Sequence, residues 1–307
     1  MQKKAMIIYN PAAGKNKFRK LLPDAEKILT EANFEVTLVP STPAPKSTTF
    51  IAKQAAEAGF EVVIAAGGDG TVNEVVNGLM QVDTPPKLGV LPVGTTNDYA
   101  RALNFAKDPL EALRIIAKQE TIRVDIGKAN ETEFFINNAA GGKITEITYA
   151  VKESMKSKWG RLAYLFSGLT VLPKLSPVYV EIAYNDEIFK GEILLFFVNK
   201  SNSVGGMETL CPPAELNSGM FELLILKKVS PKKLFQLFAS IKKGTHLSSP
   251  HVIHARTNKV TIKNSDADLN VSYDGVYGGK APYTLEVIPE ALEVFADKNR
   301  ISSRLRG

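Results

Sequence analysis

Four short runs rich in β-branched side chains, AMIIY (5–9), FEVTLV (34–39), EVVIAA (61–66) and KLGVLP (87–92), punctuate the first 120 residues. Stretches of helical periodicity separate them, at about 17–32, 47–58, 72–81 and 97–118. In the third stretch Val72, Val75, Val76 and Leu79 recur at i, i+3, i+4 and i+7, the apolar face of one helix. Regular alternation of strand and helix leaves little freedom. The strands must lie parallel, and the helices must cover both faces of the sheet. Ligands of such sheets sit outside the carboxyl ends of the strands, which directs attention to the segments after the first, third and fourth runs.

The pattern changes after about residue 122. RVDIGKA, FFINNAAG, VYVEIAY, GEILLFFV, MFELLIL, KVTIKN, LNVSYDG, YTLEVIP and ALEVFA read mostly as strands joined by short turns. The expectation is a second, antiparallel β-sandwich domain over 124–290, beside an α/β domain over 1–123. Helices are expected at 144–170 and 231–243. The second has Ser230 as its cap, Pro231 at its first position and Gly244 past its end. Its apolar face, taken as Leu234, Phe235, Phe238 and Ile241, is expected to pack on its own sheet. The lysine pairs at both ends of that helix suit transient contact with an anionic membrane.

At 307 residues the chain is long enough for two cores. Its longest apolar run, Ile193–Val198, falls far short of the roughly 20 residues that span a bilayer. No signal-peptide pattern precedes the first strand. The single cysteine, Cys211 beside Pro212 and Pro213, cannot form an intrachain disulfide and suits a reducing cytoplasm. A net charge of +6 favours anionic partners such as nucleotides or acidic headgroups. Lys and Arg are dispersed and no nucleic-acid motif stands out, so a nucleic-acid partner is not expected. His246, His251 and His254 are expected to be packing or solvent-facing residues rather than metal ligands.

Three glycine-containing turns each follow a parallel strand: NPAAGK (10–15), GGDGT (67–71) and GTTND (94–98). Backbone N–H groups in such turns, continued by a helix N-terminus, can cradle phosphate. The first lacks the leading glycine of a P-loop, and Asn16 stands where a P-loop has its hydroxyl. Phosphate charge therefore needs another partner. Asp69 repels phosphate but can hold Mg²⁺, directly or through water, and Asp98 in the next strand's loop can reach the same ion. Two carboxylates converging on a nucleotide-bound metal are an arrangement for phosphoryl transfer. On local grounds Asp98 is equally suited to capping the helix that begins near Tyr99.

GGDGT followed by NEVVNGL, with IIYNPAAGK upstream and GTTNDYARAL downstream, resembles the diacylglycerol and sphingosine kinase family. VDIGK, FINNAAGG, GEILLFF, the LNV…DG…YGG stretch and the EVFA tail extend the likeness to the soluble diacylglycerol kinases of Gram-positive bacteria. The resemblance implies an ATP- and Mg²⁺-dependent kinase that phosphorylates a lipid hydroxyl, diacylglycerol or a similar lipid, giving phosphatidic acid. It implies an active site between the two domains and a tail, 291–307, that returns to the first. It places nucleotide contacts at Asn10, Pro11, Ala12, Ala13 and Gly14, at Thr42, at Gly68, Asp69, Gly70, Thr71, Val72, Asn73 and Glu74, and at Thr95. Related kinases form dimers, so a homodimer is compatible with it. The enzyme is expected in the cytoplasm, visiting the inner membrane face. LAYLFSGLTVL (162–172) is a candidate lining of the acyl-chain cleft.

Two stretches depart from the family pattern. Where the family reads Asp-Gly-Glu after LNV, this chain reads Ser272-Tyr273-Asp274-Gly275-Val276. Aligned on Asp-Gly, the glutamate becomes Val276; aligned from LNV, Asp274 falls at the glutamate. Either way Asp274 is the surviving acid and the expected general base, on the strand face shared with Asn270 and Ser272. The family also carries a structural Mg²⁺ at a K-L-D-D-G type turn. Here the turn is Glu215-Leu216-Asn217-Ser218-Gly219. The carbonyls of Glu215 and Met220 remain but Ser218 replaces the carboxylate, so this site is expected to be weak or empty. Two competing functions follow from the same features. GGDGT alone is shared with NAD kinases, and the departures would also suit a nucleotide-binding regulatory protein that has lost catalysis.

Overall fold

The computed structural model describes residues 2–11, 13, 18–105, 108–142, 176–201, 210–212, 215–241, 243–265 and 269–301. The expected helix at 144–170 and the candidate acyl lining at 162–172 lie outside the described residues, as do Ala12 and Gly14.

The first half holds parallel strands β1 (Lys3–Tyr9), β2 (Phe34–Pro40), β3 (Val62–Gly67) and β4 (Lys87–Pro92) in the order β2-β1-β3-β4. Helices α1 (Leu22–Glu31) and α5 (Pro109–Ala117) pack together on one face, and α2 (Ser47–Glu57) packs on α3 (Asp69–Leu79) on the other. Strand β3 is buried along its whole length, as a strand covered on both sides must be. The order reverses between β1 and β3, so their carboxyl ends open the crevice where such sheets take ligands.

Three helix boundaries differ from the periodicity. Before α1, residues Phe18–Leu21 form a 3-10 turn because Pro23 sits at the helix start, where its missing N–H costs nothing. Helix α3 begins at Asp69, so the aspartate lies in the first helical turn rather than in a loop. The single helix expected over 97–118 is two: α4 (Asp98–Ala102) and α5. Pro109 cannot continue a helix, and Asp108 caps the new one by accepting from Leu110 N–H at 3.1 Å.

The second half is antiparallel. Strands β5 (Thr121–Ala129), β6 (Glu133–Phe135), β7 (Asn138–Gly141), β8 (Val178–Tyr184), β9 (Glu187–Asn199), β10 (Phe221–Lys227), β11 (Val252–Thr257), β12 (Lys259–Ser265), β13 (Asn270–Tyr273) and β14 (Val276–Lys280) build it. Their inward residues, among them Phe135, Val180, Phe196, Phe221 and Tyr273, form a second core, with Phe135 stacked on Phe221 at 5.5 Å. Strand β15 (Tyr283–Phe295) joins the halves. It pairs antiparallel with β12 and β5, then parallel with β4 through Val294 and Leu88. One sheet thus runs through both cores.

Helix α6 (Pro231–Ile241) is capped as expected, by Ser230 Oγ accepting from Lys233 N–H at 3.4 Å. Its buried face is Leu234 and Leu237 with Phe238 packed beside them, while Phe235 is 62 % exposed. The spacing explains the difference: 234, 237, 238 and 241 make one stripe, and residue 235 lies about 100° away from it. A last short helix, α7 (Lys298–Ile301), follows β15. Among the described residues no helix is long and apolar enough to cross a membrane.

Candidate active site

The turns after β3 and β4 press on each other. A Cβ on Gly94 would lie 2.4 Å from Gly68 Cα, so only glycine permits this approach. The N–H groups of Val93 and Gly94 donate to Gly67 O, and the Asn97 side chain closes a ring by accepting from Gly94 N–H and donating to Gly94 O. Asn10 N–H donates to Ala66 O, which brings the turn after β1 alongside. The small cleft between these turns is lined by Gly67, Gly68, Asp69, Pro92 and Asn97. Thr95 and Gly70 are exposed at its rim, Thr71 and Glu74 are half-buried, and Val72 belongs to the core. Thr42 is exposed and engaged with Ser47, whose hydroxyl donates to Thr42 O at 2.8 Å.

Asp69 lines this cleft and Asp98 is its neighbour at the start of α4, where the Asp98 N–H approaches the Asp69 carboxylate. The Asp69 carboxylate accepts from Tyr99 N–H at 3.0 Å, at the start of α4, and Asp98 is buried in the same turn. Burial raises the Asp69 pKa; the Tyr99 and Asp98 N–H groups oppose this, and the nearby charge of Asp98 adds to it. Two neighbouring carboxylates, one destabilised by burial, make a donor set that suits a divalent cation.

One turn along α3, about 6 Å from Asp69 by helix rise, Asn73 connects this cleft to the second half. Its amide donates to Asp274 Oδ2 at 2.9 Å and to Phe134 O at 3.0 Å. Asn77, a further turn on, accepts from Phe134 N–H and donates to Phe134 O, both at 2.8 Å. The pair at i, i+4 grips the β6–β7 segment as another strand would.

Asp274 is not on the strand face shared with Asn270 and Ser272. It is the first residue of a two-residue hairpin turn, with φ of 46° at Asp274 and 77° at Gly275, between the paired residues Tyr273 and Val276. Positive φ at both positions is the geometry that Asp-Gly favours, and it ends the alternation on which face-sharing depends. The turn sends the carboxylate inward. Oδ2 accepts from Ile136 N–H at 2.7 Å and from Asn73; Oδ1 accepts from Asn137 N–H at 2.9 Å and Asn138 N–H at 3.0 Å. All four acceptor positions of the carboxylate are used. Burial nonetheless dominates and pushes its pKa to about 6, with the four hydrogen bonds opposing. Val276, at the position of the family glutamate in one register, is 42 % exposed.

The turn at 215–220 lies apart from this cleft and does not fit a divalent cation. Lys200 Nζ donates to Glu215 O at 2.8 Å and Met220 O at 3.3 Å, and stands 2.8 Å from Asp125 Oδ2. The ammonium occupies the space where a metal would gather those carbonyls. Nothing in the local pattern marked Asp125 or Lys200. A lysine ending an apolar run reads as a solvent-facing strand terminus, and the one available signal was the loss of the carboxylate at Ser218. Two of the three histidines have rings engaged with protein groups: His246 Nε2 lies 2.8 Å from Leu210 O, and His254 Nε2 lies 2.6 Å from Glu222 Oε2.

Residues 4–129 match the model of the diacylglycerol kinase catalytic domain, and residues 144–296 match that of the YegS C-terminal NAD kinase beta sandwich-like domain. A diacylglycerol kinase of Staphylococcus epidermidis is 41 % identical over 99 % of this chain and 96 % of its own length. One from Bacillus subtilis is 43 % identical over 91 % and 92 %. The chain belongs to the diacylglycerol kinase family. Membership of this kinase family implies use of ATP. Solved structures agree in fold with this family member: a diacylglycerol kinase from Bacillus anthracis superposes with a TM-score of 0.75 at 21 % identity, covering 97 % of this chain and 98 % of that one. A second chain from the same organism reaches 0.82 at 22 % identity, with the same coverage.

Proposed function

We propose that the chain is an ATP- and Mg²⁺-dependent kinase that phosphorylates the hydroxyl of diacylglycerol or a similar lipid, giving phosphatidic acid. The observation that carries this reading is the placement along α3. Asp69 faces the glycine turns, and one turn further Asn73 holds Asp274, so a single helix links the glycine turns, the neighbouring carboxylates Asp69 and Asp98, and the acid Asp274. The turns after β1, β3 and β4 would supply N–H groups to the nucleotide phosphates, with Asn10–Gly14, Thr42, Gly68–Glu74 and Thr95 around them. Asp69 and Asp98 would hold Mg²⁺, which when bound neutralises phosphate charge.

Asp274 is proposed as general base. A carboxyl group poised near pH 6 is ionised at neutral pH, yet basic enough to take a proton from a hydroxyl as the bond to phosphorus forms. Accepting that proton requires one of its four hydrogen bonds to yield. The Asn73 amide is the one donor that can withdraw by side-chain rotation; the other three are backbone N–H groups of 136–138. Contact with the lipid would bring the protein to the cytoplasmic membrane face, and a homodimer is compatible with this reading.

The test is a kinase assay with ATP against a total lipid extract, with the product identified by mass and NAD as a parallel acceptor. Phosphatidic acid is expected. Phosphorylated NAD in place of a phospholipid would overturn the lipid assignment. The occupied acceptor positions of Asp274 and the apolar Val276 favour one alternative, a nucleotide-binding regulatory protein. ATP binding with no transfer to any lipid would establish that alternative.

A further inference from the structure

Lys200 is among the largest fully buried side chains of the described residues, at 1 % exposure. An ammonium has three N–H donors and no acceptor. Here it meets three oxygens: Asp125 Oδ2 at 2.8 Å, Glu215 O at 2.8 Å and Met220 O at 3.3 Å. Ser218 Oγ completes the ring, donating to Glu215 O at 3.3 Å and accepting from Met220 N–H at 3.3 Å. Asp125 in turn ties three segments together. Its own N–H donates to Leu216 O, its Oδ2 accepts from Gly219 N–H at 2.6 Å, and its Oδ1 accepts from Glu290 N–H at 2.9 Å. Glu290 lies in the bulge that breaks the β15–β5 register, with φ of 48°.

We propose that the Lys200 ammonium is a tethered structural cation that takes the place of a divalent metal at this turn. The turn's carbonyls and the Asp125 carboxylate form an oxygen cage that demands a positive centre. A carboxylate at position 218 would make that cage a divalent site. With Ser218 there, the cage carries one negative charge, from Asp125, and a single positive charge balances it. Lys200 supplies that charge from β9 by covalent attachment, with no association equilibrium to satisfy. A second cation in the cage would be repelled at contact distance. Burial pulls the Lys200 pKa down and the Asp125 charge opposes this. A neutral amine would leave one of the three oxygens without a donor.

This inference does not depend on the lipid acceptor, and its test reads stability and metal content of nucleotide-free protein. In an Asp69→Asn background, which takes away the cation site of the cleft, the protein should melt at the same temperature in excess EDTA as in saturating Mg²⁺ or Ca²⁺, and should carry no divalent ion by elemental analysis. Lys200→Ala added to the same background should melt roughly 10 °C lower in EDTA, from loss of one partner of a buried ion pair. Ca²⁺ or Mg²⁺ should recover part of that loss, and more of it when Ser218→Asp is added. If Lys200→Ala fails to fold alone, Lys200→Ala/Ser218→Asp purified with Ca²⁺ carries the same comparison. A stoichiometric divalent ion in the Asp69→Asn protein, or an EDTA-sensitive melting temperature of that protein, would overturn the proposal. So would a double variant indifferent to both ions.

Discussion

Asp274 shows how one residue can satisfy two demands. Its backbone makes the tight turn that Asp-Gly favours, and its carboxylate is folded under four N–H donors. The acid is the folded state's burden: its pKa of about 6 lies above the unfolded value of 3.8. Between these values the folded protein binds a proton that the unfolded chain does not. Stability should therefore fall as pH rises from about 4 to about 6, by about 3 kcal/mol from this group. Urea unfolding across that range should show the slope in wild-type protein and lose it in Asp274→Asn. Turnover runs the other way, declining below pH 6 as the base is protonated, and Asp274→Asn should lose about 10²–10⁴-fold. If that variant kept full turnover, the assignment as base would fail. For Asp69 the informative change is Asp69→Asn, because an amide oxygen can still accept from Tyr99 N–H. Activity should drop by about 10²-fold or more with little change in melting temperature; wild-type turnover would remove Asp69 from the metal site. Asp69 was legible because its meaning is local, a carboxylate among glycines at a strand end. The donors around Asp274 come from residues 73 and 136–138, which no local pattern connects to residue 274.

At the scale of elements, α3 carries the connection between the two halves. Its apolar stripe was visible in the spacing of Val72, Val75, Val76 and Leu79, all buried. The opposite use of Asn73 and Asn77 was not, since asparagine in a helix reads as solvent-facing. Asn77 is 7 % exposed and satisfies both backbone groups of Phe134. Asn77→Ala should leave Phe134 N–H without this partner, while Phe134 O keeps its bond from Asn73, and cost about 2 kcal/mol, measured by denaturant unfolding. A change below about 0.5 kcal/mol, the size of an ordinary surface substitution, would mean that water replaces the side chain. The same element scale explains the split of the expected 97–118 helix. Periodicity continued through the break, and the decision came from Pro109 and the Asp108 cap.

Across the whole molecule, β15 and β5 decide the architecture. β15 spans both cores, and β5 pairs with it from residue 121 to residue 129. The halves should consequently unfold together. Far-ultraviolet circular dichroism and hydrogen exchange of core amides in each half should report one coincident transition; two separated transitions would show the halves to be independent. Helical periodicity, β-branched runs and glycine turns depend on residues a few positions apart, and these determined the parallel sheet, the strand-rich second half and the cleft at the strand ends. The tertiary structure alone decided that Asn73 reaches Asp274, that Asp274 turns inward, and that Lys200 fills a cage built from Asp125 and the 215–220 turn. Each of these joins residues 15 to 201 positions apart. Burial makes such contacts strong, and burial is a property of the folded chain rather than of any stretch within it.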